Sequence, residues 1–220
     1  MKYRVILLIM AMLLPFGAQA QWKVGVTAGA GYNMFSMDKQ YMADYQIDAR
    51  WGATAGISGQ YDINDWLALR ADLNWTQKHY RKHRVHLSQI DYHYRNNYLQ
   101  LPVMASFSTG GERLRGFCNL GVFAGYWLTS RRYGSDYIAF GDFLFDFNEK
   151  VVFNSESDQR LDFGLTGGLG LEYRMDSHWA LQAETLCYYS TVSTTKQYMR
   201  VKDYRYNTTL VAQLGVYYIF

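Results

Sequence analysis

From residue 21 onward, apolar side chains alternate with small or polar ones at a period of two. That is the spacing of a β-strand with two unlike faces. Trp22, Val24, Val26, Ala28, Ala30 and Tyr32 alternate with Lys23, Gly25, Thr27, Gly29 and Gly31. Trp51, Ala53, Ala55, Ile57 and Tyr61 stand against Gly52, Thr54, Gly56, Ser58 and Gln60. Leu67, Leu69, Ala71, Leu73 and Trp75 stand against Arg70, Asp72, Asn74 and Thr76. The next two segments, Leu99 to Phe107 and Cys118 to Leu128, alternate less cleanly. The sixth opposes Phe163, Leu165, Leu169, Leu171 and Tyr173 to Asp162, Gly164, Thr166, Gly168, Gly170 and Glu172. The seventh runs from Trp179 to Tyr189 and the eighth from Thr208 to Phe220. The pattern predicts an all-β fold of eight strands.

One face apolar and one face polar fits a soluble barrel with the apolar face inside, or a membrane barrel with it outside. The aromatics separate the two. Trp22 and Tyr32, Trp51 and Tyr61, Phe163 and Tyr173, and Trp179 and Tyr189 lie on the apolar face ten residues apart. Ten residues at ~3.3 Å each, tilted by ~40°, span about 25 Å along a barrel axis. That is the height of the apolar band between the two aromatic girdles of a transmembrane barrel.

Connections follow the same logic. Asp62 to Trp66, Ser108 to Arg115 and Arg174 to His178 are short, whereas the others are long, the longest from Thr129 to Arg160. The expectation is an eight-stranded antiparallel transmembrane β-barrel with short periplasmic turns, long external loops and both termini periplasmic. Phe143 to Phe147 alternates within the longest connection, so the fifth and sixth strands are open to extension as a hairpin. Pro102 cannot donate to a ladder, and a bulge is expected there.

Residues 1–20 read as a cleaved signal peptide: Lys2 and Arg4, an apolar run from Val5 to Phe16, then Ala18-Gln19-Ala20. Residues 21–220 form the barrel domain. Removing Lys2 and Arg4 takes Lys plus Arg from 22 to 20 against 19 Asp plus Glu, a net charge of +1. So even a balance gives no argument for nucleic acid as a partner. Cys118 and Cys187 fall on non-adjacent strands and point outward, so two free thiols are expected.

Three groups of residues are candidates for function. By parity Arg70, Asp72, Glu172 and Glu184 point into the lumen, with Gln100, Gln182 and Gln213 as neutral company. An eight-stranded interior admits little but side chains, so these charges must pair as a plug. A narrow ion path and acid–base catalysis remain open uses. Lys78, His79, Tyr80, Arg81, Lys82, His83, Arg84, Val85 and His86 make a basic stretch after the third strand. Lys78, Arg81, Lys82 and Arg84 are candidates to face the phosphates of lipopolysaccharide. The histidine spacing suits a metal only on a helix, and no metal or cofactor is expected. Tyr133, Tyr137, Phe140, Phe143, Phe145 and Phe147, interleaved with Asp136, Asp142, Asp146 and Glu149, suit protein or glycan contacts or packing over the barrel mouth. His86 with Ser88, and Ser190 with Thr191, are the nearest approaches to a nucleophile and base, and neither spacing matches a hydrolase motif.

At the end of the chain, Gln213, Gly215, Tyr218 and the terminal Phe220 resemble the C-terminal β-signal read by the outer-membrane barrel-assembly machinery. Together with Tyr98-Leu99-Gln100-Leu101-Pro102-Val103 and the glycine-rich segment from Phe163 to Tyr173, the chain resembles the PorT-like, or "porin family", small outer-membrane barrels of Bacteroidetes. The resemblance covers residues 21–220 and rests on pattern rather than on a catalytic motif. It implies a barrel in the outer membrane and, in some members, a link to secretion or gliding machinery. The expectation is a non-enzymatic structural or binding barrel, with a narrow diffusion channel and a lipid-modifying enzyme as alternatives.

Overall fold

The computed structural model describes residues 21–38, 44–87, 89–138, 143–196 and 204–220; the expected signal peptide and Ser88 lie outside them. Ten β-segments are present: β1 (Gln21–Met37), β2 (Tyr45–Asp62), β3 (Leu67–Gln77), β4 (Tyr80–Arg84), β5 (Asp91–Gly110), β6 (Leu114–Ile138), β7 (Phe143–Lys150), β8 (Leu161–Arg174), β9 (Trp179–Ser190) and β10 (Arg205–Ile219). Eight of them close a ring: β1 pairs with β2, β2 with β3, then β5, β6, β8, β9, β10 and back to β1, every pairing antiparallel. The ring closes where Phe220 N donates to Trp22 O at 2.9 Å. The expected eight-stranded antiparallel barrel is the observed fold.

The two extra segments are the outer parts of interrupted strands. β4 continues β3 past Lys78 and His79 and pairs with β2 and β5. β7 pairs with the far half of β6, whose near half carries β8. The connections from β3 to β5 and from β6 to β8 are therefore largely sheet, and Phe143 to Phe147 forms the hairpin extension that its alternation left open. β6 continues twelve residues past Tyr126, the last of its residues in register with β8, or ~30 Å along the axis at the usual rise and tilt. The result is a lopsided wall of β2, β4, β5, β6 and β7 standing beyond one end of the ring.

At the other end, beside Gln21 and Phe220, the connections are tight. Asn64 Oδ1 accepts from the N–H of Trp66 and Leu67, and Asp176 Oδ1 from those of His178 and Trp179. Both are side chains mimicking a turn of backbone. Gly110, at φ 141°, turns the third of these connections, and a Cβ there would stand 2.6 Å from Leu114 O.

The two faces are inverted relative to a soluble core. Trp22, Val26, Trp51, Ile57, Leu120, Leu165, Leu169 and Leu214 are exposed, while Lys23, Arg70, Asp72, Glu172 and Glu184 are buried. Girdle aromatics meet across β1 and β2 at both edges of the apolar band: Trp22 and Tyr61 rings lie 4.9 Å apart, Tyr32 and Trp51 rings 5.1 Å. Cys118 and Cys187 are free and on the outward face.

Pro102 does not carry the expected bulge. It stays in register with Phe123, and the register shift on β5 falls at Asn97/Tyr98. On the other side the β3–β5 ladder lapses between Ala71–Val103 and Asn74–Gln100, which is where the missing donor of Pro102 falls. An interrupted ladder on one side accommodates the ring without inserting a residue.

Candidate functional site: a charged lumen and a projecting sheet

Inside the ring the charges pair in three tiers. Nearest the termini, Lys23 Nζ donates to Glu172 Oε1 and Oε2 at 3.1 and 3.0 Å and lies 3.1 Å from Asp62 Oδ2. Gln182 Nε2 donates to Glu172 at 2.8 Å and Arg174 Nε at 3.2 Å. In the middle tier Arg70, 1% exposed, donates from Nε and Nη2 to Asp72 at 2.9 and 3.0 Å, and from Nη1 and Nη2 to Glu184 at 3.0 and 2.5 Å. Asn119 and Gln213 complete the ligation of Glu184 at 3.0 and 2.8 Å. In the upper tier Lys78 Nζ donates to Asp162 Oδ2 at 2.7 Å, with the Tyr98 ring 4.6 Å and the Phe123 ring 5.5 Å away. Each buried cation thus faces at least one carboxylate, the condition under which burying charge is tolerable.

Bulky side chains fill the remaining space where neighbouring positions on the same or the adjacent strand carry glycine. Tyr217 lies against Gly25 and Gly215, Phe117 against Gly170 and Phe123 against Gly164; a Cβ on any of these glycines would stand under 3.0 Å from the ring. Tyr188 meets Phe123 edge-on at 5.3 Å, and Tyr98 stacks on Trp127 at 5.7 Å.

Of the expected lumen residues, Arg70, Asp72, Glu172, Gln182 and Glu184 come together as described. Gln100 points inward and is fully buried, but its side chain has no hydrogen-bond partner among the described residues, so it adjoins the network without joining it. Lys23 and Asp162 were missed, although their parity with the inward glycines of β1 and β8 was already a signal.

Lys78 is corrected. It is 0% exposed and sits in the lumen, not on an external rim. The inward parity of Arg70, Asp72, Asn74 and Thr76 continues through it, and Asp162 supplies the countercharge. The other three basic-stretch cations do lie on the projecting wall, already engaged. Arg81 pairs with Asp91 at 2.7 Å, Lys82 sits 4.0 Å over the Tyr45 ring, and Arg84 Nε donates to Tyr45 Oη at 3.1 Å. The segment is strand, which removes the helical histidine spacing, and among the described residues no three potential metal ligands gather. His86 Nδ1 lies 2.8 Å from Asp44 on the surface. Ser190 is buried in the lumen, and Thr191 donates to Phe163 O at 3.0 Å.

On the far hairpin, Tyr92 meets Phe147 at 5.7 Å and His93 stacks on Tyr133 at 4.8 Å. Phe143, Leu144 and Tyr137 remain exposed, and among the described residues β7 has a partner on one side only. Phe140 and Asp142 lie outside the described residues. The C-terminal residues divide by face: Gln213 and Gly215 inward, Tyr218 and Phe220 outward, with Tyr218 edge-on to Trp179 at 5.2 Å.

A polar, internally paired interior inside an aromatic-banded apolar wall defines a small transmembrane β-barrel. Residues 6–220 match the outer membrane protein beta-barrel domain, and the chain belongs to that family. Its fold is similar to that of the outer membrane protein OprG from Pseudomonas aeruginosa, at 11% identity over 90% of this chain and 95% of that one, with a TM-score of 0.53. It is also similar to a major outer membrane protein from Thermus thermophilus, at 10% identity over 92% and 100%, with a TM-score of 0.52. No curated protein matches the chain.

Proposed function

We propose that this barrel is a non-enzymatic structural or binding protein whose working surface is the projecting wall rather than the lumen. The observation that carries this reading is the pairing of the buried lumen charges, which closes the interior with side chains. Residues 1–20 act as an export signal, the termini and tight turns face the periplasm, and the projecting wall faces outward. The barrel-assembly machinery reads Gln213, Gly215, Tyr218 and Phe220 during biogenesis. The likeness to PorT-like barrels supports a role beside secretion or envelope assembly, with outer-leaflet lipid and a protein or glycan as partners and no nucleic acid. The edge of β7 that has no strand beside it among the described residues, and the exposed aromatics next to it, suit a protein partner that adds a strand.

One observation favours the narrow channel instead. Gln100, Asn74 Oδ1, Asn119 Oδ1, Thr166 Oγ1 and Ser190 Oγ are buried polar atoms without a protein partner along the lumen wall. Single-channel recording of the refolded chain in a planar bilayer separates the readings, with heat-modifiable migration reporting a folded barrel. Silence is expected. Discrete openings would overturn the plug. They would be cation-selective, because Lys23, Arg70 and Lys78 face four buried carboxylates, Asp72, Asp162, Glu172 and Glu184.

A further inference from the structure

Just beyond the girdle, on the outward side of the wall, a notch of about 430 Å³ opens between β2, β5 and β6. Arg50, Trp51, Gln77, His79, His93, Arg95 and Tyr133 contribute to its lining, which contains no carboxylate. Arg50 and Arg95 are both exposed, and no ion pair joins either to a carboxylate among the described residues. The carboxylates nearest in sequence register are already taken. Asp48 lies 3.3 Å from His83, and Asp91 pairs with Arg81 at 2.7 Å and with His93 at 3.2 Å. Arg95 is held over the Tyr133 ring at 4.8 Å, which leaves the donors at the edge of its guanidinium free. Gln77 is committed to Ala53 N and Asn97, and His79 Nδ1 to Trp51 O at 3.2 Å. The notch thus presents two uncommitted planar cations on an aromatic floor.

Its height decides the ligand. Trp51 is a girdle residue, 65% exposed, and forms the lower lip. Girdle tryptophans sit at headgroup level, with hydrocarbon on one side and water on the other. We propose that Arg50 and Arg95 bind the phosphate of a membrane lipid headgroup, with the headgroup backbone resting on Trp51. Arginine forks match phosphate oxygens in pairs, and a phosphate at this height is presented by lipid at high local concentration. The proposal deepens the binding-barrel reading, taking from it only that the notch faces the outer leaflet, where phosphorylated glycolipid is the headgroup on offer. It replaces the basic stretch 78–84, whose cations are engaged by internal partners.

The test uses the full chain, expressed into the outer membrane and purified in non-ionic detergent without phosphate. Native mass spectrometry counts binding of a phosphorylated lipid A glycolipid, the same glycolipid stripped of phosphate, and inorganic phosphate. Wild type is expected to hold the phosphorylated lipid, and R50Q/R95Q to bind it roughly a hundredfold more weakly, about tenfold for each arginine lost. R81Q/R84Q is expected to bind as wild type does. Heat-modifiable migration checks that R50Q/R95Q is folded; should it fail to fold, R95Q alone carries the test. Unchanged affinity in the folded arginine variant, or equal binding of the dephosphorylated lipid, overturns the proposal. Inorganic phosphate bound as tightly as the lipid overturns the lipid source. Because binding is counted in detergent, its loss leaves the conductance result untouched, and a conducting barrel leaves this result untouched.

Discussion

Lys78 stands one residue past the end of β3, in a stretch so basic that its charge reads as part of a surface patch. Its burial beside Asp162 is a matter of parity and countercharge, and only the second of these is invisible in the chain. The pair lies between the Tyr98 and Phe123 rings, where an uncompensated carboxylate has no water to turn to. Lys78→Met strands Asp162 and is expected to lower barrel stability by about 3–5 kcal/mol, whereas Lys78→Met with Asp162→Asn recovers most of the loss. Urea unfolding followed on semi-native gels reads both variants; a single variant as stable as wild type would return Lys78 to the surface. Lys23 illustrates the complementary case. It alternates with Trp22 and Val24 and so had to point inward, and Glu172 had to be near some cation, but nothing in the chain states that β1 and β8 face each other across the lumen.

At the scale of elements, tight turns and strand parity were legible because both are local. Asn64 and Asp176 each cap a short connection with their own side chains, and the alternation of β1, β8 and β9, and of β2 from Trp51 onward, holds in the structure. Of the interrupted strands only Phe143 to Phe147 was legible, by its alternation. In residues 91–98 the aromatic Tyr92, Tyr94 and Tyr98 take the inward parity and His93, Arg95 and Asn97 the outward one, the reverse of the membrane strands, so the signal of an apolar outward face fades. Only cross-strand pairing shows them to be sheet. Gly134, at φ 150°, marks the price of that pairing: a Cβ would stand 1.8 Å from Asp91 O.

The β4–β5 hairpin also carries the clearest dependence on pH. Burial pushes the Asp91 carboxyl upward, but the Arg81 hydrogen bond and the nearby Arg81, His93 and His83 charges outweigh it and hold it below the usual carboxylate value. Burial, helped by Arg50 and Arg81 and opposed by Asp91, holds the His93 imidazole below the usual histidine value. A depressed histidine favours the open hairpin once the open form protonates, so stability falls as pH drops below about 6.5. A depressed carboxylate contributes fully above its unfolded value of about 3.9 and loses that contribution as pH falls through the folded one. Both signs point the same way. Amide protection over residues 80–95, corrected for intrinsic exchange, should be flat from pH 8 to 7 and then decline in two stages. A hairpin that tightens on acidification would contradict the assignment of these two groups.

For the whole molecule, closure is the decisive event, and it belongs to the two ends of the chain. β10 reaches β1 over fifteen register pairs, from Lys23–Ile219 to Met37–Arg205, and no edge of the ring remains. Phe220, 71% exposed, adds almost nothing to packing beyond its edge contact with Tyr218 at 5.0 Å. Phe220→Ala should therefore cut the amount of assembled barrel several-fold while leaving the melting of the assembled fraction within ~0.5 kcal/mol of wild type. Semi-native gels of outer membranes and of purified barrel measure the two quantities separately. Stability falling in step with yield would make the terminal ring a packing residue and remove the support for its role in recognition.

The sequence by itself determined the all-β class, the inversion of the two faces, the height of the membrane band, the number of strands and the tight turns. Each of these depends on residues two to ten apart, and a period or a spacing reports them without knowledge of the fold. Tertiary structure alone decided which charges meet across the lumen, that Lys78 belongs among them, that β3 resumes beyond the band as β4, and that Arg50 and Arg95 share one notch. Arg50 and Arg95 are 45 positions apart in the chain. Partners so distant are chosen by the order in which strands close, and the free energy that selects them, the cost of a charge left unpaired away from water, exists only after closure.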